Sequence, residues 1–241
     1  MKAASGATVL LTMVAAIALA AAQSKPPSAA GAPCPPPAPA SQEQFFFYQL
    51  ALLRQPQNLP MEPGLESRHQ ARVAKLVKEG KVVLAGRFTD GTELREVLVL
   101  HTQRGDEAER WMHSDPAVKA GFLVPEFHIW IQPISTFNPP LEPASMEEYA
   151  LVLYDKGAAW SKDREPTILR HMEFLKSQRE TGRLVADGWF KDGTGEYRAL
   201  LIFAATPEEA EGVVAGDPLI VAGGVKVEVH PWATQRGVLR R

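Results

Sequence analysis

Two histidines draw attention because the chain presents each in matching surroundings. His69 stands in "SRHQARVAKLV" and His171 in "LRHMEFLKSQ", a fixed distance apart (171 − 69 = 102). His69 shares a helical stripe with Val73 and Leu76, and His171 shares one with Leu175, so each imidazole is expected to face inward. An imidazole titrates near neutrality, and a carboxylate beside it can fix its tautomer and support its charged form, as a general base requires. Asp115 and Asp217, each followed by Pro, keep the same offset (217 − 115 = 102). No nucleophile recurs with them, since Ser114 is matched by Gly216. That favours abstraction and return of a proton over covalent catalysis. Arg68 and Arg170 precede the two histidines, and a planar guanidinium suits a bidentate substrate carboxylate. An inward His bonded to an Asp at a helix end is equally a satisfied core pair, with Asp-Pro closing the second helix.

Other chemistries have less support. His101, His113, His128 and His230 read as sharing no spacing and have no Cys partners, so neither a metal nor a cofactor is expected. The single cysteine, Cys34, lies in a Pro/Ala-rich stretch where nothing lowers a thiol pKa. The net charge of -2 gives no electrostatic reason to expect nucleic acid or an anionic membrane surface as a partner. With 45% hydrophobic and 22% charged residues, 241 residues suit one large or two small globular domains.

The elements that would position these residues also come twice. "VKEGKVVLAGRFTDGT" (Val77 to Thr92) returns as "RETGRLVADGWFKDGT" (Arg179 to Thr194). Gly80, Gly86 and Phe88 match Gly182, Gly188 and Phe190, with Gly195 as one extra residue in the second copy. A period this long implies two tandem units. Each reads as strand, helix, strand, hairpin to a further strand, helix, strand. "FFFYQLALL" and "EEYALVLYD" open the units, and "PEFHIWIQP" and "GVKVEVHP" close them with strict alternation. βαββαβ is the ferredoxin-like arrangement, a four-stranded antiparallel sheet with both helices on one face. The bare face must be covered, and two copies on one chain can cover each other. The expected fold is α+β: two tandem ferredoxin-like domains packed sheet-to-sheet as an intramolecular dimeric α+β barrel.

Each unit resembles a YciI-like (YCII-related) domain. The resemblance rests on Arg68-His69 and Arg170-His171, "GKVVLAG" and "GRLVADG", the "DEAERW" and "EEAEGV" helices, and the Asp-Pro after each. It implies an α+β barrel of the kind that the family builds from two subunits, here fused. It also implies a His–Asp acid/base pair, His69 with Asp115 and His171 with Asp217. One branch of the family acts on chlorinated muconolactone-type substrates, so the resemblance implies a small lactone or carboxylate substrate. The exported, tandem form and the "RQPQNLPMEPG" stretch before the first helix depart from the ordinary single domain.

The expected organisation is a signal peptide over 1–22, a Pro/Ala-rich linker over 23–43, a first domain over 44–133 and a Pro-rich linker over 134–145. A second domain over 146–233 and a solvated basic tail over 234–241 complete it. Lys2, an apolar run of about 16 residues and the small residues of "ALAAAQ" form a secretory pattern, short of the ~20 residues of a spanning helix. The product is expected in the periplasm or outside the cell, as a monomer with an internal pseudo-dimer and no membrane span after cleavage. The expected activity is cofactor-independent acid/base catalysis (isomerase, lyase or dehalogenase-like) on a small organic molecule, anionic or lactone-like. The alternative is a non-catalytic ligand-binding or interaction module of the envelope. A pocket open beside the histidines favours the first, and sealed pairs favour the second.

Overall fold

The computed structural model describes residues 45–56, 62–139, 145–160, 165–191 and 197–240. The expected signal peptide, the expected Pro/Ala-rich linker with Cys34 and the second Asp-Gly-Thr turn lie outside the described residues. Among the described residues, fourteen elements follow in chain order. The first half comprises β1 (Phe46–Arg54), α1 (Leu65–Lys78), β2 (Val82–Phe88), β3 (Leu94–Leu100), α2 (Gly105–His113), α3 (Pro116–Lys119) and β4 (Val124–Gln132). The second comprises β5 (Met146–Lys156), α4 (Glu165–Glu180), β6 (Leu184–Phe190), β7 (Tyr197–Phe203), α5 (Pro207–Val214), α6 (Pro218–Val221) and β8 (Val225–Gln235).

The strands form one closed barrel in the order β1-β3-β2-β8-β5-β7-β6-β4, and every pairing is antiparallel. Closure abolishes the open sheet edges that two separate sheets would leave. The seams between halves are short. Gly86, Arg87 and Phe88 pair with Thr234, Ala233 and Trp232 on one side. Trp130 and Ile131 pair with Phe190 and Trp189 on the other.

Alternation along the strands divides the apolar residues among three cores. Leu50, Leu52, Trp130, Leu151, Leu153 and Trp232 belong to the cluster that draws on strands of both halves. Leu53, Leu98 and Leu100 face the other way, onto Val73 and Leu76 of α1 and Met112 of α2. Tyr154, Leu201 and Phe203 do the same against α4 and α5 through Leu175 and Val214.

The two seam glycines explain why "LAG" and "ADG" carry Gly at the same place. A Cβ on Gly86 would lie 1.9 Å from Cζ2 of Trp232. A Cβ on Gly188 would lie 2.6 Å from Nε1 of Trp130 and 2.5 Å from the Ile131 carbonyl oxygen. Each half therefore leaves a side-chain-sized gap that an indole of the other half fills.

Two expectations are corrected. Asp-Pro does not close α2 or α5; it opens α3 and α6. Asp115 is the N-cap of α3 and accepts from the backbone N–H groups of Ala117 and Val118, with Pro116 in the first turn. Asp217 caps α6 in the same way through Leu219 N–H. A short carboxylate satisfies orphan donors, and Pro, lacking a donor, fits the first turn. The basic tail is not simply solvated either. Val238 and Leu239 are buried in the barrel cluster beside Phe137 of the expected linker. A backbone bridge joins Phe137 to Leu239, and Arg240 N–H reaches the Thr136 carbonyl at 2.8 Å. Burying those apolar side chains outweighs the preference of the flanking arginines for water.

Candidate functional site

α1 presents His69 from the stripe that also buries Val73 and Leu76, so the imidazole points at the outer face of the barrel. α3 brings Asp115 to its Nδ1 at 2.9 Å, and β3 brings Glu96 to its Nε2 at 2.7 Å. All three are buried. The other oxygen of Asp115 is fixed by the cap bonds, 2.8 Å to Ala117 N and 3.3 Å to Val118 N. Burial opposes a charge on His69, but hydrogen bonds to Asp115 and Glu96 and their negative charges override it and raise the pKa to about 9. His69 is thus an imidazolium at neutral pH, donating from both nitrogens, rather than a free general base.

A cavity of about 610 Å³ opens onto His69 and Glu96, with Asp115 behind them outside its lining. Its charged and polar lining includes Glu66, Arg87, Arg95, Glu96 and Gln55, with Phe122 and Leu123 on an apolar side. Arg87 is ion-paired with Glu66. Arg95 donates from Nε to Gln55 Oε1 at 2.7 Å, and no carboxylate pairs with it among the described residues. Oε1 of Glu96 has no hydrogen-bond partner among the described residues, since only Oε2 is engaged by His69. The cavity can therefore receive a small anion at Arg95, and the Glu96 carboxylate belongs to the same lining.

In the second half α4 and α6 bring His171 and Asp217 together, Nδ1 lying 3.0 Å from Oδ1 and 2.7 Å from Oδ2. Tyr154 of β5 donates its hydroxyl to Asp217 Oδ2 at 2.7 Å, and Leu219 N–H reaches Oδ1 at 2.8 Å. Burial and the Asp217 charge push the Tyr154 phenol far up, so it stays protonated and can donate to Asp217. The neighbouring Asp187 of β6 accepts from Arg179 at 2.7 Å, and burial, partly offset by that guanidinium, raises its pKa.

Arg68 and Arg170 lie elsewhere. The Arg68 side chain is 51% exposed, 3.6 Å from Glu62, and is not among the residues lining the cavity. Arg170 is exposed and its only described side-chain bond runs to Thr167 Oγ1 at 3.4 Å. Their register one residue before an inward His turns them away from the barrel. Among the described residues no group of three His, Cys, Asp or Glu side chains could hold a metal ion. No described helix is long and apolar enough to cross a membrane.

A further polar chain crosses between the halves. Arg54 of β1 donates to Glu126 at 2.9 Å and to the Tyr197 hydroxyl at 3.1 Å, and Tyr197 donates to Glu228 at 2.9 Å. His128 bonds Glu126 at 2.9 Å, and His230 bonds Asp90 at 2.6 Å. The His128 bond, with Arg54 and against burial, depresses Glu126 to about 2. Reading the outlying histidines as unrelated is corrected here: Glu126-Phe127-His128 and Glu228-Val229-His230 obey the repeat offset (230 − 128 = 102). Phe190 stacks on His128 at 4.3 Å, and Phe88 meets His230 edge-on at 5.3 Å, so each half lends an aromatic ring to the other's histidine.

Residues 147–233 match the YCII-related domain. That match supports a YciI-like family for the second half. No curated protein matches the chain. Among solved structures, a heme-binding protein from Thermus thermophilus is 12% identical, with a TM-score of 0.47 over 80% of this chain and 94% of that one. A mutant chlorite dismutase from Candidatus Nitrospira defluvii, in complex with cyanide, is 13% identical, with a TM-score of 0.48 over 78% of this chain and 90% of that one. Similarity at this level carries no argument about chemistry.

Proposed function

We propose that the chain is an exported protein of two fused YciI-like, ferredoxin-like halves. We further propose that it performs cofactor-independent acid/base chemistry on a small carboxylate- or lactone-bearing molecule. Support for fusion comes from the repeated order of elements and from the match over 147–233. Support for export comes from the N-terminal pattern alone. The observation that carries the chemistry is the cavity of about 610 Å³ lined by Glu96, His69 and Arg95, with Asp115 bonded to His69 behind the lining. Its size suits a small organic molecule, and Arg95 offers the fork that a carboxylate fits.

One observation favours the binding-only alternative: His69 is buried, with both nitrogens already bonded to carboxylates. The distinction is experimental. Titrating the mature protein with 2-oxobutanoate and with γ-butyrolactone, followed by NMR of the Arg95 side chain and the Phe122 and Leu123 amides, should give saturable shifts. Arg95→Gln should weaken the carboxylate at least tenfold, on the order of one charge-assisted pair. If neither compound moves those signals, the cavity is not a site for this class of molecule. Binding without proton exchange on the bound compound would leave the non-catalytic module.

A further inference from the structure

The two halves keep the same His–Asp pair but surround it differently. In the first half Leu53 of β1 faces Glu96 of β3 in register. At the corresponding place in the second half Tyr154 of β5 faces Ala199 of β7. The exchange is complementary. Where β3 supplies a carboxylate, its neighbour is an aliphatic Leu. Where β7 supplies only a methyl group, the neighbour is a phenol that reaches across to Asp217. Glu96 extends the chain from His69 to the cavity wall, whereas Tyr154 turns back onto the cap of α6.

Three further cavity positions change with it. Glu66, Arg87 and Gln55 align with Ile168, Trp189 and Lys156, so most of the charged lining has no counterpart. Of the arginines and carboxylates in the lining, only Arg95 retains its type, in Arg198.

We propose that Glu96 is the proton-transferring residue of the cavity, that His69 positions it, and that the second half, with Ala199 in its place, carries no such residue. The proposal rests on the acid/base reading of the cavity. Glu96 Oε2 is anchored by His69 Nε2–H, leaving Oε1 as the oxygen without a described partner. In the step itself Oε1 takes a proton from the carbon beside the substrate's carbonyl. The C–H electron pair passes into the enolate, and Glu96 becomes a carboxylic acid. Return of that proton to the same carbon restores both partners; exchange of the Glu96 acid proton with D2O before the return delivers deuterium instead, and delivery to another carbon isomerises the substrate. No oxidant or reductant is needed.

The test follows deuterium uptake at C3 of 2-oxobutanoate in D2O, with the full mature chain and four variants whose folding is checked by circular dichroism. Wild type should accelerate exchange over buffer. Glu96→Gln should bring the rate to within a few-fold of buffer, and Glu96→Asp should restore part of it. His69→Gln should lower the rate and also shift its pH profile, which a merely structural loss would not do. His171→Gln should stay within twofold of wild type. Acceleration that survives Glu96→Gln, or that His171→Gln removes, overturns the proposal while leaving the cavity reading intact. Absence of acceleration in wild type takes both down.

Discussion

Gly86 and Trp232 occupy one volume between them: a Cβ on the glycine would meet indole Cζ2 at 1.9 Å. The same relation, with the halves exchanged, joins Gly188 to Trp130. The seams contain few strand pairs, and one such interlock stands at each of them. Gly86→Ala should therefore cost at least the ~1–3 kcal/mol typical of overpacking. Urea unfolding would measure it, and Trp232→Leu in the same chain should recover part of the loss. Gly212, inside α5 with nothing within 4 Å of an added Cβ, gives the opposite expectation: Gly212→Ala should stabilise by about 0.5–1 kcal/mol.

His69 predicts a pH dependence with a definite sign. Its folded pKa of about 9 lies above the 6.5 of an ordinary histidine. The stabilisation it draws from Asp115 and Glu96 is thus fully present below 6.5 and is lost as pH rises through about 9. The urea midpoints of wild type and His69→Gln should lie furthest apart near pH 6 and converge toward about pH 9. A gap constant across that range would mean that His69 is not charged in the fold. NMR titration of the imidazole gives the same answer directly.

Tyr154→Phe removes one donor from a buried carboxylate and nothing from the cavity. A loss of about 1–3 kcal/mol is expected from leaving Asp217 short of a partner. Shifts of the Arg95 signal with 2-oxobutanoate should stay as in wild type. Weakened binding in this variant would mean that the second half contributes to the site.

Leu239, two residues from the last position, is 4% exposed. Leu239→Ala should cost about 2–5 kcal/mol, the range for a truncated core side chain. A tail that merely lies in solvent would give a change within ~0.5 kcal/mol, so the urea midpoint separates the two.

The repeat makes the scaffold legible and the site only partly so. Residues present in both copies, such as Gly86 with Gly188 and His69 with His171, can be found by the offset alone. Glu126, His128, Glu228 and His230 obey it too, but weighing the histidines as metal ligands hides the pattern. Glu96 escapes for the opposite reason. It is matched by Ala199, so a search for recurring residues discards it. Arg68 and Arg170 recur faithfully, yet adjacency to His in the sequence places them around the helix from it. Only the register of β1 against β3, a long-range relation, brings Glu96 under α1.

A barrel assembled from two identical chains would receive every substitution twice, once at each symmetry-related place. Here Leu53 with Glu96 and Tyr154 with Ala199 are written at separate positions of one polypeptide. Either pair can drift while the other stays fixed. One half is then free to vary the lining of its cavity and the other to be tuned for rigidity, a division of labour that a symmetric homodimer cannot encode.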